Sequence, residues 1–215
     1  MHTDLEHALV YFGCLVVAVI LHEISHGVVA LWFGDRTAKE AGRLTLNPVP
    51  HIDPVGSVVL PAMGALLGVP VIAWAKPVPV DPNRLRSPRR DMLFVSLAGP
   101  TTNFMLMAIA AYGAHAVYDP VTMPGRTVYD LPLGVQILFF FALVNLFLGV
   151  FNLLPIPPLD GSALIERVLP HSWLPHWYRV RPYGMVLLFF LVLSTGVLTK
   201  LITPFENRLF DYVFR

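Results

Sequence analysis

An apolar run from Tyr11 to Phe33 contains His22, Glu23 and His26, and this placement constrains the chain more than any other feature. A run of that length reads as a membrane-crossing helix, because in lipid a segment must satisfy its own backbone hydrogen bonds. Two imidazoles and a carboxylate at bilayer depth cost several kcal/mol unless they pair, bind a metal or face water. Residues four apart share a helix face, so His22 and His26 can present ring nitrogens to one metal ion. The alternative is that these are ordinary polar residues near a helix end.

His22-Glu23-Ile24-Ser25-His26 fits the H-E-x-x-H pattern of zinc hydrolases. Glu23 stands where a carboxylate could take a proton from a metal-bound water. Composition agrees with a membrane setting. The chain is 55% hydrophobic and 13% charged, with a mean hydropathy of +0.64; soluble domains are roughly 25% charged. A net charge of +1 leaves no nucleic-acid footprint. At 215 residues, positions 1–215 read as a single membrane domain. Cys14 lies in the first apolar run and has no second cysteine to pair with. No cleavable signal peptide is expected, since Asp4 and Glu6 precede that run without any Lys or Arg.

Five stretches are apolar enough to consider as membrane segments: residues 7–33, 55–74, 92–117, 134–157 and 183–203. Lys and Arg concentrate in the connectors 34–54, 75–91 and 160–182, whereas residues 1–7 have none and 118–133 only Arg126. The positive-inside rule then puts the N-terminus and 118–133 outside and the three basic connectors in the cytoplasm. Residues 55–74 have basic flanks on both sides, and Gly56, Pro61, Gly64, Gly68 and Pro70 break them up. They are expected to be re-entrant, shielded from lipid by the bundle. Residues 42–54 and 74–80, rich in proline and briefly alternating, are expected to form a small membrane-surface β element. The tail 204–215 mixes Phe205, Leu209, Phe210 and Phe214 with charges, as an interfacial helix would. The expected fold is therefore an all-α polytopic membrane protein with about four transmembrane helices, a re-entrant segment and that β element.

A catalytic zinc usually takes three protein ligands and keeps one position for water. Asp160 is the candidate third ligand, because under the four-span topology it emerges at the same depth as the histidines. A helix-capping role before Gly161 is the other reading. Pro155, Pro157 and Pro158 break the helix just before it, which is tolerated at membrane depth only where backbone lines a cavity. Asn152 could donate to a developing oxyanion or make a buried interhelical hydrogen bond. Asn103 could brace a metal-ligand helix, and Asn145 reads as bundle packing. His51 reads as structural in its Pro-rich loop, with a hydrogen bond to substrate or ligand as the alternative.

Three motifs in order resemble the site-2 protease family of intramembrane zinc metalloproteases. They are His22-Glu23-x-x-His26, Ala98-Gly99-Pro100-Thr101-Thr102-Asn103, and Asn152…Leu159-Asp160-Gly161 within an N-x-x-P-x-x-x-x-D-G pattern. The Gly42–Pro48 and Trp74–Val80 segments resemble a compact branch without the PDZ and CBS domains of some relatives. The resemblance covers roughly residues 10–165. It implies one zinc on His22, His26 and Asp160, Glu23 as general base and Asn152 beside the tetrahedral intermediate. It further implies single-span membrane proteins as substrates, an upstream site-1-type protease as a partner, and a cell-membrane enzyme whose site faces the cytoplasm. A metal carrier or sensor without enzymatic activity is the alternative, although it leaves Glu23 unexplained and lacks the internal repeat that carriers often show. A catalytically silent scaffold fits Glu23 no better.

Overall fold

The structure, a computed structural model, describes residues 2–59, 62–63, 66, 74–119, 127–194 and 196–215. Long α1 (His2–Trp32) is followed by short α2 (Thr37–Glu40) and then by α3 (Pro88–Val117) and α4 (Leu133–Asn152). The remainder forms α5 (Ser162–Val168), α6 (Leu174–Val180), α7 (Gly184–Ser194) and α8 (Val197–Phe214). Every regular element among the described residues is helical.

Three helices are long and apolar enough to cross a membrane: Leu5–Trp32, Pro88–Val117 and Leu133–Asn152, with mean hydropathies of 2.0, 1.5 and 2.3. The shortest has 20 residues, which at 1.5 Å per residue reaches about 30 Å, the thickness of the hydrocarbon layer. α1, α3 and α4 pack on one another. Their contacts bury Cys14, Ala18, Ala110, Ala111, Ala114 and Ala142, small side chains that let the backbones approach. Close approach matters here because lipid gives helices no hydrophobic reason to associate.

The expected last span, residues 183–203, is divided in the structure. α7 has 11 residues, about 16 Å, and Gly196 with φ +60 separates it from α8. α7 starts where Gly184 abuts Pro157, just past the C-terminal end of α4. α8 ends where Tyr212 stacks on His115 and Phe214 meets Tyr118, at the C-terminal end of α3. Together the two helices run the length of the bundle. The tail from 204 onward therefore packs on the bundle: Leu209 and Val213 are buried in the same core as Ala110 and Phe139.

No strand forms at 42–54 or 74–80, contrary to the expected β element. Pro48, Pro50, Pro54, Pro77 and Pro79 remove the amides a ladder needs. The segments are joined instead by single bonds. Lys76 N donates to His51 O at 2.9 Å, and Arg43 Nη2 donates to Lys76 O at 2.6 Å. Of the expected re-entrant stretch, Pro54–Val59 is a single π-helical turn whose Val55 and Gly56 amides bond Asp53 Oδ1; most of the rest lies outside the described residues. Asp35 closes the whole connector. Its buried carboxylate accepts from Thr37 N, the Thr37 hydroxyl and Asp81 N. Burial alone would push this carboxyl up, but those hydrogen bonds and the Arg84 guanidinium hold it below the usual carboxylate range.

α4 ends in a tight proline loop. Gly161 N donates back to Asn152 O at 2.7 Å, and this closure delivers Asp160. A Cβ at Gly161 would run into the Leu153 and Leu154 carbonyls, so only glycine fits. Gly161→Ala is expected to lower stability by about 1–3 kcal/mol in a thermal melt of the detergent-solubilised protein. Gly13→Ala meets nothing within 4 Å, and is expected to be neutral or to stabilise by about 0.5–1 kcal/mol.

Candidate metal centre

One face of α1 and one face of α3 build the centre, both with a spacing of four. His22 and His26 project from α1 toward Val95, Gly99 and Asn103 on α3. Both histidines are buried, and Asp160 reaches them from the loop after α4. His22 Nε2 and His26 Nε2 lie 3.0 Å apart. Asp160 Oδ2 lies 3.1 Å from the first and 3.4 Å from the second. Gly99 is what lets α3 lie this close: a Cβ there would sit 2.6 Å from Nε2 of both rings.

The partners of the opposite nitrogens decide which nitrogen each ring turns to the cluster. His22 Nδ1 is 2.6 Å from Asn103 Oδ1, and His26 Nδ1 is 2.7 Å from the Val95 carbonyl oxygen. Oxygens of both kinds only accept, so each ring donates from Nδ1–H, and in its neutral form each ring offers the Nε2 lone pair to the cluster. Asp160 Oδ2 is likewise buried and receives no aligned hydrogen. Three lone-pair atoms thus converge within 3.4 Å, in a setting that screens charge poorly. With both rings neutral they repel one another unless a cation stands among them. A proton could bridge one pair; a metal ion meets all three. A tetrahedral ion with bonds of about 2.0–2.1 Å separates its ligands by about 3.3 Å, close to the observed spacing. The donor set of two imidazoles and one carboxylate is one that catalytic zinc uses.

The other predicted residues fall into place unevenly. Glu23 Oε2 accepts from Val78 N at 2.8 Å, so the extended 74–80 segment holds the carboxylate beside the cluster. Asn152 Nδ2 donates to Leu148 O at 3.0 Å, one turn back on its own helix rather than to a neighbouring one. His51 Nε2 donates to Thr45 O at 3.0 Å within its own loop, as the structural reading expects. Sequence reasoning missed the Val95 carbonyl, which as backbone leaves no side-chain signal. It also missed the Val78 amide. The spacing of Gly99 and Asn103, four apart on one face, was the available clue to the inner face of α3.

Residues 114–194 match the model of peptidase family M50. The chain is 33% identical to "Putative zinc metalloprotease YwhC" of Bacillus subtilis, over 94% of this chain and 90% of that protein. It is 31% identical to the similarly named Rip2 of Mycolicibacterium smegmatis, over 96% of this chain and 74% of that protein. Against Rip2 of Mycobacterium tuberculosis H37Rv the identity is 36%, over 73% of this chain and 54% of that protein. No solved structure matches the chain. With the two histidines, the carboxylate and the long apolar helices on which they are mounted, this similarity shows that the chain belongs to peptidase family M50, the site-2 protease family.

Proposed function

We propose that the chain is an intramembrane zinc protease that hydrolyses peptide bonds in or near the transmembrane segments of single-span membrane proteins. The observation that carries this reading is the convergence of His22 Nε2, His26 Nε2 and Asp160 Oδ2 as three buried lone-pair donors beside a carboxylate. His22, His26 and Asp160 hold the zinc. When bound, the metal lowers the pKa of a coordinated water and polarises the scissile carbonyl.

The chain's own groups do the rest. Val78 N–H fixes Oε2 of Glu23, leaving Oε1 to take the water's proton and return it to the departing amine. Water's oxygen bonds to the carbonyl carbon, the C–N bond breaks, and a carboxyl and an amine result. Asn152 can donate its second amide hydrogen to the oxyanion while keeping its bond to Leu148 O, an effect worth about 2.7–4 kcal/mol where such donors act. A metal carrier has no use for a carboxylate oriented in this way, which favours hydrolysis over transport.

The membrane topology follows from the charge pattern. α1, α3 and α4 cross, and α7 with α8 make a fourth, bent crossing. The 34–87 and 153–183 connectors face the cytoplasm, and residues 55–74 re-enter from that side. The active site then opens to the cytoplasm beside the 42–54 and 74–80 segments. A substrate helix must unwind locally before its carbonyl is accessible, since its amides are bonded internally. An unwound stretch could pair its main chain along these edges. An upstream site-1-type protease would trim the substrate first.

Glu23→Gln is expected to keep about one zinc per chain by elemental analysis, while cleavage of a reconstituted single-span substrate falls by about 10²–10⁴-fold. Wild-type cleavage by that variant would overturn Glu23 as the general base, and zinc-loaded wild-type protein that cuts no membrane substrate would overturn the proteolytic assignment. For topology, single cysteines replacing Glu40, Arg86 and Trp173 are expected to label from the cytoplasm in a Cys14→Ser background, and one replacing Tyr129 from outside. External labelling at position 86 would refute the re-entrant reading of 55–74.

A further inference from the structure

Two fully buried side chains, Asn103 and Asn145, are not used by the chemistry above, yet they form one continuous line with a metal-site histidine. Asn145 Nδ2 lies 2.8 Å from the Phe141 carbonyl oxygen of its own helix, α4. Asn103 Nδ2 lies 2.8 Å from Asn145 Oδ1, and Asn103 Oδ1 lies 2.6 Å from His22 Nδ1. A backbone carbonyl can only accept, so this anchor fixes the direction of every bond along the line. Asn145 must turn its NH2 to Phe141 and its oxygen to Asn103. Asn103 must then donate to Asn145 and offer its oxygen to His22. His22 is left with a hydrogen on Nδ1, and in the neutral ring the Nε2 lone pair faces Asp160 and His26.

We propose that Asn103 and Asn145 are positioning residues: a one-way amide relay, anchored on the Phe141 carbonyl of α4, sets the tautomer and orientation of His22 for zinc. His26 needs no such relay, because the Val95 carbonyl holds its Nδ1 directly. α4 therefore contributes to the metal site twice, through Asp160 beyond its C-terminal end and through Asn145 in its middle. This inference rests on the zinc reading and extends it to residues that touch no metal.

The test is apparent zinc affinity by chelator competition on the purified full chain, with the absorption spectrum of the cobalt-substituted protein as a second readout. Asn103→Leu is expected to weaken zinc binding by about 10–100-fold, the usual effect of losing a ligand's hydrogen-bond partner. Asn103→Asp keeps an acceptor for His22 and is expected to bind more tightly than Asn103→Leu. Asn145→Leu, which touches no ligand, is expected to weaken binding by a smaller factor and to shift the cobalt bands. The double variant is expected to bind no more weakly than Asn103→Leu alone, because Asn145 acts through Asn103. A folded Asn145→Leu protein with wild-type zinc affinity and unchanged cobalt bands would overturn the relay. If the variants fail to fold, nitrogen NMR of metal-free wild-type protein decides: His22 protonated at Nδ1 supports the relay, and protonation at Nε2 alone refutes it. Wild-type protein that binds no zinc would instead overturn the zinc reading itself.

Discussion

Three ligand atoms, two imidazole nitrogens and a carboxylate oxygen, meet inside an apolar helical bundle, and most of the remaining structure serves to bring them there. Two of them come from α1, which needs only a spacing of four to align His22 and His26. The third comes from Asp160, which lies on the far side of a broken helix and must be delivered by a loop. That loop closes through the Gly161 amide on the Asn152 carbonyl. α3 closes the opposite side, and Gly99 lets its backbone lie against both rings. Without a cation this arrangement is repulsive; with one it becomes the strongest tie between three separate elements.

The same logic explains why polar groups persist so deep in the bundle. Asn103 and Asn145 are buried, and each makes hydrogen bonds with partners in the bundle. In lipid an unpaired amide costs several kcal/mol, so such residues are retained only in satisfied networks. At the end of the bundle that carries the site, the backbone turns irregular and proline-rich at 42–54, 74–80 and 153–161. Backbone of that kind is tolerated at membrane depth where protein or water surrounds it. Here it surrounds the proposed entrance, and through the Val78 amide it holds the carboxylate of Glu23.

Much of this was legible in the sequence. The periodicity of four around His22 and His26 and the Asp160-Gly161 step identified three residues that the structure brings within 3.4 Å. The apolar runs located α1, α3 and α4 because membrane helices are set by length and hydropathy. The last helices were less legible. Residues 183–203 are mostly apolar, and one glycine in such a run does not by itself reveal a left-handed break; the backbone of Gly196, with φ +60, shows it. Short alternation at 42–46 suggested strands, but the prolines that follow leave too few amides for a ladder. The orientation of His22 depends on side chains 81 and 123 positions away in the chain, and no local pattern encodes such a contact.

Zinc K-edge X-ray absorption on the purified protein tests the central claim most directly. Two imidazole nitrogens and one or two oxygens at about 2.0–2.1 Å are expected, with no sulfur in the first shell. A shell with a single imidazole, or with sulfur at about 2.3 Å, would contradict the assignment of His22, His26 and Asp160 as the metal ligands.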